Sequence, residues 1–162
     1  MKKSFSNRGI SVVEIIIGAS IIAATFVITI GVYSSLLRLS GEALPRIQSA
    51  MIADEGVQAL RSLRDASFGS NIAGLTLDTP YYLAWSQASS SFFATTTPTL
   101  IDDTFYRTFT LSNMYRDGAQ NIVPSGTLDA GGRLATINVS FQKRNGTSTQ
   151  VLQTYILNTF NN

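Results

Sequence analysis

The chain has no cysteine and no histidine among its 162 residues. Without cysteine, an exported domain must hold together by core packing alone. Without histidine, triads built on an imidazole, the commonest general base and nearly all zinc geometries are missing. The sequence nominates no catalytic residue, no metal-ligand set and no cofactor, and the expectation is that it is not an enzyme. Charge is also scarce, at 14% of residues, and one stretch has none: Ile15 to Leu37 carries no Asp, Glu, Lys or Arg. That run is roughly 23 residues, and about 20 helical residues cross the hydrocarbon core of a bilayer.

The net charge of +2 comes from the first residues. Lys2, Lys3 and Arg8 supply three of the twelve basic side chains, leaving nine against ten acidic ones from Ile10 onward. The high isoelectric point therefore gives no reason to expect nucleic-acid binding. The same three charges bias the N-terminus to the cytoplasm.

What is present is concentrated at the start. A short basic leader ends at Gly9, Ile10 follows, and Glu14 stands alone at the head of the apolar run. A carboxylate at mid-membrane costs about 2.5–3.5 kcal/mol on insertion scales, so one at this position is expected to have a task. An ordinary secretory signal is cut after its apolar stretch. Here the glycine precedes that stretch, so the anchor would survive cleavage.

Leader charge, glycine, glutamate and apolar run fall in one register, and together they resemble the class III signal of the type IV prepilin and pseudopilin family. Within that family the chain is most like minor pilins of the PilV and GspI kind, on the strength of the segment Ala53–Phe68. The resemblance implies that prepilin peptidase cuts between Gly9 and Ile10 and N-methylates Ile10. It implies that Glu14 forms an assembly salt bridge with the terminal amine of a neighbouring subunit. Implied partners are the peptidase, other pilin or pseudopilin subunits and the inner-membrane assembly platform. The implied location is the inner membrane, crossed once with the head outside, and then a pilus or pseudopilus. Most members begin the mature chain with Phe or Met, whereas this one has Ile. Many carry a proline where Gly31 stands, and Gly31 is either a matching weak point or a tolerated small residue.

The expected fold is α+β and pilin-like: a long N-terminal helix packed on an antiparallel β-sheet head. Residues 1–9 read as the leader, 10–68 as the helix with its span at about 15–37, and 69–162 as the exported head. Ala50, Ala53, Val57 and Leu60 recur at helical spacing and form the expected docking stripe, with Arg61, Arg64 and Asp65 off it. Pro45 should bend or break the helix. Beyond Gly69, Tyr81–Trp85 reads as a short strand and Ser86–Thr99 as a loop with room for an edge strand. Thr104–Leu111 alternates with Phe105, Arg107, Phe109 and Leu111 on one face. Leu134–Gln142 alternates with Ile137, Val139 and Phe141 on one face, and Asn145-Gly146 signals a hairpin into Val151–Leu157.

Other constellations carry less. Asp102-Asp103, Asp117 and Asp129 are oxygen ligands without EF-hand spacing, and turn formation accounts for them better than calcium. Asn138-Val139-Ser140 and Asn145-Gly146-Thr147 fit the glycosylation triplet, which is common by chance in Ser/Thr-rich chains. Lys143-Arg144 is too small a basic patch for nucleic acid. Three functions stay open: a minor pilin of a type IV pilus, a minor pseudopilin of a type II secretion system, and a single-pass anchored binding module or adhesin.

Overall fold

The structure is a computed structural model and describes residues 11–143 and 146–160. Its elements are one long helix, α1 (Val12–Ala66), a single π-helical turn (Gly69–Ala73), and seven strands: β1 (Tyr81–Ser86), β2 (Ser91–Thr95), β3 (Leu100–Ile101), β4 (Phe105–Arg116), β5 (Ile122–Val123), β6 (Thr127–Lys143) and β7 (Gly146–Leu157). The chain divides into two compact units between Ala43 and Leu44. The architecture is α+β, with the long apolar N-terminal helix packing on an antiparallel sheet.

In the first unit α1 runs through β-branched residues that are poor helix formers in water. Three of its hydroxyls are satisfied by the helix itself. Ser20 Oγ donates to the Ile16 carbonyl at 2.7 Å, Thr25 Oγ1 to Ile22 at 2.7 Å, and Thr29 Oγ1 to Thr25 at 2.7 Å. Such back-bonding pairs these polar hydrogens within the helix. The helix carries on through Pro45, where the sequence suggested a bend or break.

In the second unit the sheet follows the path β2-β1-β4-β6-β7, every neighbouring pair antiparallel, with β3 and β5 as two-residue additions to β4. One face carries Phe105, Phe109 and Leu111 from β4, Ala135, Ile137, Val139 and Phe141 from β6, and Leu83 and Ile156 from the flanking strands, all buried. Against these in the core lie Ile52, Ala53, Val57, Ala59, Leu60 and Leu63 of α1, with Phe68 and Ile72 just beyond it. The docking stripe is thus turned slightly from the expected one: Ser49 is buried and Ala50 exposed. Ser49 tolerates this because its hydroxyl donates to the Arg46 carbonyl at 2.8 Å. Truncating the fully buried Leu60 to alanine should cost about 2–5 kcal/mol.

β6 begins at Thr127, seven residues before the expected Leu134. Asn113 pairs with Arg133 while the next residue, Met114, pairs with Asp129, so Ala130–Gly132 bulge out of the ladder. A Cβ at Gly132 would collide with the Met114 side chain, which explains a glycine at this point. β7 likewise begins at Gly146, with Lys143 opposite it and Gly146 at φ +117°. Asn145, the other half of the expected turn signal, lies outside the described residues.

Candidate functional site

The expected cleavage and methylation residues, Gly9 and Ile10, lie outside the described residues. Glu14 is within them, and the structure gives it a local role. Ser11 immediately precedes α1, and its Oγ accepts the Val13 amide at 3.3 Å. Glu14 reaches back so that its Oε2 accepts the Ser11 amide at 2.9 Å. This is a reciprocal capping box, Ser-x-x-Glu, which satisfies donors that the first helical turn leaves free. The carboxylate also sits at the positive end of the helix dipole. The Ser11 amide occupies Oε2 alone, and a carboxylate has about four acceptor sites on two oxygens, so the cap leaves Glu14 able to accept a further donor.

From Ile15 to Leu37 the large apolar side chains are uncovered. Ile15, Ile21, Phe26, Ile30 and Leu36 are all more than half exposed. The helix is long and apolar enough to cross a membrane. A Cβ at Gly31 would meet nothing, so the backbone there is not shaped by a neighbour within the chain.

Arg107 is the functional-looking group that the sequence disguised. It lies on the core face of β4 at only 4% exposure, directly under α1. One terminal nitrogen donates to the Ile52 carbonyl at 3.1 Å and lies 3.4 Å from a Glu55 carboxylate oxygen. Its Nε is buried without a partner. Gly56 makes room for it, since a Cβ there would sit 3.0 Å from Arg107 Cδ. Burial pushes the guanidinium pKa down, and Glu55 only partly opposes this. The group ties sheet to helix.

The carboxylates considered for calcium are dispersed into turns. Asp102 and Asp103 both have positive φ, 48° and 49°, and the Thr104 amide donates to the Ile101 carbonyl at 3.1 Å. That is the geometry of a type I′ hairpin turn, for which Asp is a tolerated residue. Asp117 accepts the amides of Ala119 and Asn121 at 2.9 and 2.8 Å and the Asn121 side-chain amide at 3.1 Å. Those bonds, the Asn121 side chain first, hold its pKa below the usual range. Asp129 pairs with Arg116 Nε at 2.5 Å and accepts the Gly131 amide at 2.8 Å, and Arg116 is the main cause of its lowered pKa. Among the described residues no three His, Cys, Asp or Glu side chains come together as a metal site. Asn138, of the first glycosylation triplet, is half-buried on the outer face between Thr108 and Val151. Lys143 reaches over the Phe141 ring, 5.9 Å from its centroid, while Arg144 is not among the described residues.

Comparison with protein-family models, with curated proteins and with solved structures returns no match for this chain.

Proposed function

We propose that this chain is a structural subunit of a type IV pilus, a minor pilin, cleaved and N-methylated by prepilin peptidase and assembled through its N-terminal helix. One observation carries the reading. Glu14 heads a charge-free run, residues 15–37, whose large apolar side chains are uncovered among the described residues, and it follows a basic leader and glycine in the register of a class III signal. The self-satisfied hydroxyls of Ser20, Thr25 and Thr29 support residence in lipid, where unpaired polar groups are costly.

The mechanism follows from charge. Cleavage after Gly9 would create an amine on Ile10. In a low-dielectric surrounding an amine and a carboxylate attract far more strongly than in water, and neither is stable there alone. Glu14 of an incoming subunit would accept the amine of a neighbour beside its Ser11 amide, and that pair would set axial register. The apolar helices would then trade lipid for one another, with Gly18, Ala19, Ala23 and Ala24 allowing close approach.

Two experiments test this. Mass spectrometry of the N-terminal peptide from native membranes should give a chain beginning at N-methyl-Ile10. A chain retaining Met1–Gly9 beside an active peptidase would overturn the reading in favour of an anchored binding module. Glu14→Gln separates pairing from capping, because glutamine also serves at the third position of a capping box. If pairing with an amine is the task, Glu14→Gln blocks filament entry as Glu14→Ala does, while cleavage persists. Normal entry of the glutamine variant would reduce Glu14 to a helix cap. A type II secretion pseudopilus would share this chemistry, and co-purification with secretin-linked partners in place of a retraction ATPase would favour it.

A further inference from the structure

One stretch of α1 has no brace on either side among the described residues. Under the proposed function, lipid supports the helix only to the end of the charge-free run at Leu37. On the other side, the first residue of α1 to be buried is Ser49. Between them, over residues 38–48, only Pro45 is as much as half-buried and all the others are exposed. The large apolar side chains of this stretch, Leu39, Leu44 and Ile47, are 68%, 60% and 60% exposed, so no packing holds the backbone there. Helical stability in proteins comes mostly from such packing, and without it intrinsic propensity must suffice.

Propensity is poorest in this same stretch. Pro45 has no amide hydrogen, so the Gly41 carbonyl, four residues earlier, receives no helical bond from it. Gly41 is itself of the residue type least suited to a helix after proline. A Cβ there would meet nothing, so close packing within the chain does not explain the glycine. Ser40 precedes it, and prolines and Gly/Ser pairs are the usual causes of sharp helix bends. Gly18 and Gly31, inside the charge-free run, have no proline four residues on. In lipid a released carbonyl has no other donor, whereas in water solvent supplies one, so opening costs least outside the run. Glu42 and Arg46 stand four apart across Pro45, a spacing at which opposite charges restrain a helix only weakly. The boundary between the two compact units, Ala43 to Leu44, falls between Gly41 and Pro45. We propose that residues 40–45 of α1 are a hinge, where the helix bends so that the head reorients while the apolar run keeps its place. The inference rests on the anchored-subunit reading only for what holds the run.

The test uses the absence of native cysteine. Full-length chains with two introduced cysteines are spin-labelled, placed in lipid nanodiscs and read as distance distributions by pulsed electron resonance. Ser35→Cys with Val151→Cys spans the hinge. Val151 lies on the outer face of the sheet, away from the line of α1, so a bend changes its distance in proportion to the angle. Ile16→Cys with Ser35→Cys reports on the run alone and includes Gly31, and Asp54→Cys with Val151→Cys reports on the head alone. All four positions are exposed, so folding should be unaffected. The spanning pair should give a distribution about twice as wide as either control. Adding Gly41→Ala and Pro45→Ala restores the missing amide and a strong helix former, and should narrow the spanning pair to the width of the controls. A spanning pair as narrow as the controls would overturn the hinge, and so would a width that the two alanines leave unchanged. The hinge and the pilin reading fail separately. A chain that retains its leader yet shows the wide, alanine-sensitive distribution leaves the hinge standing. A chain that enters filaments with a narrow spanning pair overturns the hinge alone.

Discussion

Replacing Arg107 by methionine should stabilise the head, whereas replacing it by alanine should not. The guanidinium is 4% exposed and its Nε has no hydrogen-bond partner. Moving a cation out of water costs several kcal/mol in real proteins even after relaxation. The return is one bond to the Ile52 carbonyl and an ion pair to Glu55 at 3.4 Å. Glu55 is 53% exposed, so solvent screens the pair and its worth falls to about 1–2 kcal/mol. The balance is unfavourable, in agreement with the lowered pKa of the group. Methionine puts its sulfur where Arg107 Cδ now rests against Gly56, keeps the packing of the stem and removes the buried charge. Arg107→Met should raise unfolding free energy by about 1–3 kcal/mol. Arg107→Ala leaves a cavity under α1 and should lower it by about 2–4 kcal/mol. Glu55→Ala strands the buried cation and should lower it by about 1–2 kcal/mol. Urea unfolding of residues 44–162, which contain the whole buried core, measures all three. A methionine variant less stable than the parent by more than about 1 kcal/mol would refute the argument and make Arg107 a net stabilising staple.

Three further outcomes follow from particular contacts. The depressed pKa of Asp129, caused chiefly by Arg116, gives stability that is present above the unfolded carboxylate value and is lost as pH falls through the folded one. Acid titration of the head should therefore show that loss below about pH 4, and Asp129→Asn should remove it. Gly126→Ala should destabilise by about 2 kcal/mol, because its Cβ would lie 2.5 Å from the Arg116 carbonyl oxygen, and calorimetry should show a smaller loss for Gly132→Ala, which meets only the flexible end of Met114 and Leu157. Ser11→Ala should weaken the first turn of α1 by about 1 kcal/mol, read as faster amide exchange at Val12–Glu14 in micelles with no change beyond the next turn.

The elements that were legible from sequence are those where one physical signal dominates. Alternation in Phe105–Leu111 and Ala135–Phe141 specifies strands because one face is wholly buried and the other is polar. The charge-free run specifies a helix because nothing else satisfies its backbone in lipid. The signal failed where two principles compete at one residue. Alternation is clean only over Leu134–Gln142, yet a bulge at Ala130–Gly132 lets β6 continue seven residues further toward its start. Pro45 reads as a bend or a local break, and α1 has no break there, since one lost amide bond is a local cost inside a 55-residue helix. Arg107 falls in the alternating apolar set, but its type argues against burial, and only a carbonyl at Ile52 and a missing side chain at Gly56 resolve that conflict.

Glu14 is the case where this competition bears on function. The class III resemblance implies a task between subunits, and its spacing from Ser11 makes it a cap within one. The two are compatible, because the Ser11 amide takes one of about four acceptor sites on the carboxylate. Under the proposed function, the capping bond would keep the carboxylate of a membrane-held subunit from lying unpaired before assembly. An amine would then add a charged donor, and hydrogen bonds between ionised partners are roughly twice as strong as neutral ones. A carboxylate with a weak local partner and capacity for a stronger external one would be stable before assembly and favoured after it. Alanine removes both states, whereas glutamine removes only the second, so the difference between those two variants measures the contribution of the charge to assembly.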